Sequence, residues 1–313
     1  MIIRESARVA AFAAVALMLS APADAQIFRA YVSSTGSDSN PCSLPAPCRL
    51  LPAALTAVAD GGEIWMLDSA NYNTGTVTIT KSVSILAIPG QVGSLVATGG
   101  GAALFLNTAG TNVGLRNLVF TRLGSGTNGI LASGPLTISV EGCLFVNLVA
   151  NAIDVSNSAT DVNVRNTIFR NIIAGAAVLA LNGPRADVAN SHLLNVNFGL
   201  TAVTDTPTTT MLSVSDTTIS GGGGGVVAQT NGSGSVARAF VTRSTIRVYG
   251  GYAFEADVFG GGGTAIVTVS NSTAAGNSGG IYISGAGVVR SLGNNYIDDA
   301  IGDFGSLTPV PLR

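Results

Sequence analysis

The chain has 313 residues, of which only 10% are charged, with 40 glycines and a formal net charge of −2. Lys81 is the single lysine, so the clustered positive charge that phosphate backbones require is missing and nucleic acid is disfavoured as a partner. So little charge with so much glycine suits tight corners and stacked backbone better than a solvated helical protein.

Taken in order, Arg4 and Arg8 precede an apolar run over residues 9–19, and Ala23 and Ala25 put small residues where a signal peptidase reads. This pattern predicts a secretory signal peptide over residues 1–25. No later stretch stays apolar for the ~18 residues of a membrane span, so the mature protein is expected to be exported and without a span. Residues 28–32 read as a first strand, and 33–40 as a polar turn. Cys42 and Cys48 then flank a proline-rich loop, and in an exported protein they are expected to form a disulfide. Over residues 49–60, Leu50, Leu51, Ala54, Leu55 and Val58 share one helical face before Gly61 and Gly62, which predicts a short helix capping the open N-terminal end of a stack of strands. Residues 63–67, 77–79 and 83–86 read as the strands of a first coil, with a polar turn over 69–75.

From there the chain repeats. A small aliphatic residue, a turn residue two later and a bulky apolar residue three after that recur as Leu115/Asn117/Phe120, Val140/Gly142/Phe145, Val164/Asn166/Phe169 and Val188/Asn190/Leu193. Weaker copies come after these at Val214/Asp216/Ile219, Val241/Arg243/Ile246 and Val269/Asn271/Ala274, so the turn position advances by 25, 24, 24, 26, 27 and 28 residues. A second apolar series runs in phase: Ile130, Ile153, Val178, Leu200, Val226, Phe254 and Ile281. Period-two alternation around these positions, with Gly, Asn and Ser at the corners, predicts an all-β solenoid, a single-domain parallel β-helix. One coil is too thin to bury its own apolar face, so stacking at roughly 4.8 Å turns the columns into a continuous core.

The order Gly36, Asp38, Asn40, Cys42, then Pro47-Cys48-Arg49, Ala54-Leu55, Gly61-Gly62-Glu63-Ile64, Tyr72, Ile79, Lys81, Val83 and Ile85, together with the repeats, resembles secreted bacterial proteins of the pectate-lyase-like, right-handed parallel β-helix superfamily over residues 28–300. The resemblance implies the fold; members include lyases, hydrolases and epimerases of acidic polysaccharides and many proteins without assigned activity. The expected organisation is a signal peptide over 1–25, strand, Cys loop and capping helix over 26–62, coils over 63–292 and a C-terminal cap over 293–313.

Chemistry is sparse in this pattern. Cys143 falls in an inward series of small residues (Leu118, Thr167, Ser191, Thr217, Ser244 and Ser272), so it reads as a buried thiol without a group beside it to activate it. His192, the one histidine, aligns with Leu144, Ile168 and Thr218 and is expected to face outward as a surface residue. Asp154 and Glu255, in the outward positions of the second column, are four coils apart, roughly 19 Å, too far for a glycosidase pair at roughly 5 to 9.5 Å. Arg116, Glu141 and Arg165 read as a charge ladder rather than as a catalytic Arg beside its acid. Asp298, Asp299 and Asp303 read as a solvated acidic tail. The glycine runs 221–225 and 260–263 lack the Lys-Ser/Thr of a phosphate loop and are expected to be flexible corners.

The best candidate for recognition is a face holding Tyr249, Tyr252, Glu255 and Tyr282, where aromatic rings beside a carboxylate suit a sugar. Glu255 and Tyr282 should stand on adjacent coils, since Phe254 and Ile281 share an inward column. The expected function is polysaccharide binding or a structural role at the cell surface, with no catalytic centre and no cofactor. The alternative is a lyase or epimerase of acidic polysaccharide, and only that alternative calls for Ca²⁺.

Overall fold

The computed structural model describes residues 26–157, 159–298 and 302–310. The predicted signal peptide, Asp299 and the last three residues lie outside the described residues. The chain forms a parallel β-solenoid in which coil after coil adds a strand to each face. A 12-stranded sheet, from Ile27–Val32 to Thr308–Pro309, makes the first face. A 16-stranded sheet makes the other two, because Ile168–Leu181, His192–Thr204 and Thr218–Thr230 each run unbroken around the corner between them.

Registers follow the sequence repeat. Val140 pairs with Leu115 on one side and Val164 on the other, Phe145 with Phe120 and Phe169, and Ile153 with Ile130 and Val178. Every member of the three apolar columns is buried, and the rings of Phe120, Phe145 and Phe169 stack with centroids 4.5 and 5.0 Å apart. The turn residue between first and second faces, Asn117, Gly142, Asn166, Asn190, Asp216, Arg243 or Asn271, has a φ between 46° and 60° each time. That left-handed conformation turns the chain in one residue, which explains the Asn, Asp and Gly found there. Arg243 is the exception in type, and its guanidinium forks onto the Asp216 carboxylate one coil away with two 2.7 Å hydrogen bonds.

One residue past this turn, the inward series forms a hydrogen-bonded ladder. The hydroxyls of Thr167, Ser191, Thr217, Ser244 and Ser272 each donate to the carbonyl two residues back at 2.8 to 2.9 Å. Each also accepts the backbone N–H of the equivalent residue on the preceding coil, at 3.2 to 3.5 Å. Cys143 closes the ladder at its N-terminal side, 2% exposed, and burial pushes its thiol up to about 12. Iodoacetamide should therefore leave Cys143 unmodified in folded protein and label it only after unfolding, as read by intact mass; labelling of native protein at a free-thiol rate would contradict this placement.

The N-terminal region is tied on by specific contacts. Cys42 and Cys48 are disulfide-bonded, and their loop covers the edge of Ile27–Val32 through Tyr31 N–H to Cys42 O at 2.8 Å and Cys48 N–H to Tyr31 O at 2.9 Å. The helix is shorter than the apolar spacing predicts. It spans Leu51–Ala57 and buries Leu51, Ala54 and Leu55, but Val58 already belongs to the strand Val58–Met66, because pairing with Ile27–Val32 competes with another helical turn. Val83–Ala87 pairs with Val58–Met66, so it opens the second coil instead of closing the first.

Two further expectations are corrected. Glycines 221–225 are not a loose corner: they lie inside Thr218–Thr230 and pair with the coil before, Gly222 opposite Val196 and Gly224 opposite Phe198. The tail does not leave the repeat at residue 293 either, since Tyr296–Asp298 pairs with Thr273–Ala275 and Thr308–Pro309 with Val288–Ser291.

Candidate functional site

The third face is built from the strands of the second apolar column, and alternation sends every other side chain out from it. Asp154 lies here between Leu131 and Leu179, accepting the Asn151 amide at 2.8 Å and the Asn128 amide at 3.2 Å. Burial raises its carboxyl and the two amides oppose that rise. Following the registers through Leu179, Thr201 and Val227 to Glu255 puts the two acids four coil steps apart, so Asp154 takes no part in chemistry at Glu255.

Around Glu255 the structure does assemble a site. Glu255 is opposite Tyr282 on the next coil, whose ring is 4.9 Å from that of Tyr252. The row continues where alternation alone would not have placed it. Phe304 bridges to Tyr282 and stacks on its ring at 5.2 Å, held there because Asp303 accepts the N–H groups of Gly280 and Ile281 at 2.9 and 3.0 Å. Asp303 is thus an anchor rather than part of a solvated acidic tail, while Asp298 accepts the Tyr296 hydroxyl at 2.8 Å.

Beneath Glu255 the floor is bare backbone. A Cβ on Gly224 would lie 3.1 Å from Glu255 Oε1 and 3.0 Å from the Phe198 ring, and one on Gly251 would lie 3.8 Å from the same oxygen. Close coil packing dictates these glycines: a Cβ on Gly222 would sit 1.6 Å from Val196 O, and one on Gly251 2.0 Å from Gly223 O. The same glycines lead to Tyr249, which is 65% exposed and borders a hollow of about 500 Å³ with Asn171, Ile173, Asn195, Asn197 and Gly223. Tyr249 therefore stands apart from the Tyr252–Tyr282–Phe304 row, at the far end of one glycine floor.

Asp257 is an acid that the repeat pattern did not single out. It follows Glu255 by two residues in Tyr252–Val258 and so shares its face, at roughly 7 Å along the strand. It is 5% exposed, and its Oδ1 has no hydrogen-bond partner. Burial, and then the Asp257 charge, raise Glu255 to about 7, with the Tyr252 backbone N–H opposing; burial raises Asp257 as well. Two carboxyls this close and this dry do not both ionise readily at neutral pH. Of the two, only Glu255 is open to a ligand.

The other candidates resolve more simply. His192 is exposed, with Ile168 and Thr218 as in-register neighbours. Arg116 pairs with Glu141 at 2.7 Å on the first face, with Arg165 across from Glu141 in register, in a solvent-exposed row. Among the described residues no group of three or more His, Cys, Asp or Glu side chains is arranged to hold a metal ion.

No protein-family model matches the chain, and no curated protein matches it. Among solved structures, pectate lyase Pel9A superposes with a TM-score of 0.54 at 14% identity, over 83% of this chain and 79% of that one. The chain shares the parallel β-helix fold of this pectate lyase. The alginate lyase from Paenibacillus sp. str. FPU-7 matches with a TM-score of 0.42 at 12% identity, over 84% of this chain and 99% of the other. A rhamnogalacturonan lyase gives 0.38 at 12% identity, over 84% and 75%. At such identities the likeness of this β-helix to its neighbours is one of fold.

Proposed function

We propose that this β-helix is an exported protein that binds a polysaccharide chain across the third face, over Tyr252, Tyr282 and Phe304 and along the glycine floor toward Tyr249. The observation that carries this reading is the aromatic row stacked beside a half-buried carboxyl and above backbone without side chains. The packed rings form an apolar strip along adjacent coils against which sugar C–H groups can lie, and one carboxyl in a dry setting gives a directional hydrogen bond. The pectate lyase among the structural neighbours supports the ligand class. The Cys42–Cys48 bridge and the predicted signal peptide support export. Recognition is favoured over cleavage because Asp257, the partner that a two-carboxylate hydrolysis would need, is buried.

Glycan-array screening followed by calorimetry tests this. Tyr252→Ala and Tyr282→Ala should each weaken binding at least tenfold, while Phe240→Ala, on the first face, should leave it unchanged. Calcium-dependent formation of unsaturated products from uronate polymers would overturn the reading in favour of a lyase.

A further inference from the structure

We infer, taking the glycan-binding reading as its basis, that the ligand of the third face is an uncharged polysaccharide and that this face selects against polyuronates. Among the described residues, the outward positions of its strands from Thr78 to Ser284 carry no Arg, Lys or His. They carry three acids, Asp154, Glu255 and Asp257, and otherwise neutral side chains such as Phe105, Leu131, Thr201 and Gln229. The hollow beside Tyr249 is also lined without charge. Its polar groups are amides held in a row, Asn195 Nδ2 to Asn171 Oδ1 at 3.1 Å, with Asn197 Nδ2 on Ala174 O at 3.0 Å.

Recognition of a uronate needs a fixed cation, best a guanidinium, opposite each carboxylate. The arginines at outward strand positions lie on the other faces, most of them on the first, from Arg29 to Arg290, and Arg170 and Arg247 on the second. A uronate laid over Tyr252 and Tyr282 would bring its charge against Glu255, with the unpartnered Asp257 oxygen just behind. Whichever of these two carboxyls is ionised repels a uronate carboxylate strongly at such range in a partly dry site. A hexose or N-acetylhexosamine meets no such obstacle: its hydroxyls can both donate to and accept from Glu255 and the asparagine amides.

The test is calorimetry at low salt with purified mature protein, using cello-, manno- and N-acetylchito-oligosaccharides beside oligogalacturonate and oligomannuronate. The expected result is binding of at least one neutral probe, at least tenfold tighter than either uronate, lost with Tyr282→Ala. Glu255→Gln should narrow the gap by improving the uronates. Uronate bound as tightly as the best neutral probe, and lost with Tyr282→Ala, would overturn the charge preference while upholding the site. Uronate binding that survives Tyr282→Ala, or no binding by any probe, would instead overturn the glycan-binding reading beneath it.

Discussion

Phe169→Ala should lower the unfolding free energy by about 3 to 5 kcal/mol, because it removes a ring from the middle of the stacked core. Phe169 is fully buried, stacks on Phe145 at 5.0 Å and has Leu193 in register on the next coil, so no neighbour is free to collapse into the vacated space. Ile168→Ala, one residue before, should cost less than about 1 kcal/mol, since that side chain points outward and is 40% exposed. Urea denaturation of the two variants beside wild type makes the comparison. Equal losses would contradict the assigned inward and outward faces, and a larger loss from Ile168→Ala would mean that the strand faces the other way round.

Stability should fall as the pH rises from about 5 to about 8. The Glu255 carboxyl, raised from an ordinary 4.5 to about 7, keeps in the folded protein a proton that the unfolded chain has already released. A raised carboxyl therefore contributes stability that is complete below pH 4.5 and is lost as pH rises through about 7. Allowing for the part of Glu255 that meets water, the loss is about 2 kcal/mol, and the raised carboxyls of Asp257 and Asp154 act in the same direction. Asp68 acts oppositely at the acid end. Burial there works against it, but hydrogen bonds from Tyr72, Ser34 and Ser33 prevail and lower it from 3.8 to about 2, so its contribution disappears as pH falls below 4. Since Asp68 is partly exposed, that contribution is about 1 kcal/mol. The optimum should lie near pH 4 to 5, and Glu255→Gln should flatten the alkaline limb. Stability that is constant or rising between pH 5 and 8 in the wild-type protein would contradict the environment assigned to Glu255.

These two effects differ in how far they can be read along the chain. Phe169 and Ile168 were distinguishable by period two and by the recurrence of Val164, Asn166 and Phe169 at neighbouring coils. For Glu255 the alternation also put Asp257 on the same face, two residues on, and that signal was there to be read. Its burial was not, because what dries Asp257 is the packing of neighbouring coils around it, at separations near 27 residues.

The repeat determined the architecture, the inward columns, the left-handed turn residues and the inward place of Cys143, for a solenoid translates sequence period directly into spatial stacking. Each coil meets only its neighbours, so a residue's place in the repeat fixes which side of the wall it occupies. Tertiary structure alone decided where the helix stops, how glycines 221–225 are held in a continuous strand, and which aromatic rings form one row. Phe198 and Phe304 lie far in sequence from Glu255, and neither belongs to an inward column. Phe198 comes to the Gly224 floor and Phe304 to Tyr282 only through corner geometry and a tail anchored by Asp303, and the hydrogen bonds and backbone contacts involved have no period to be read along the chain.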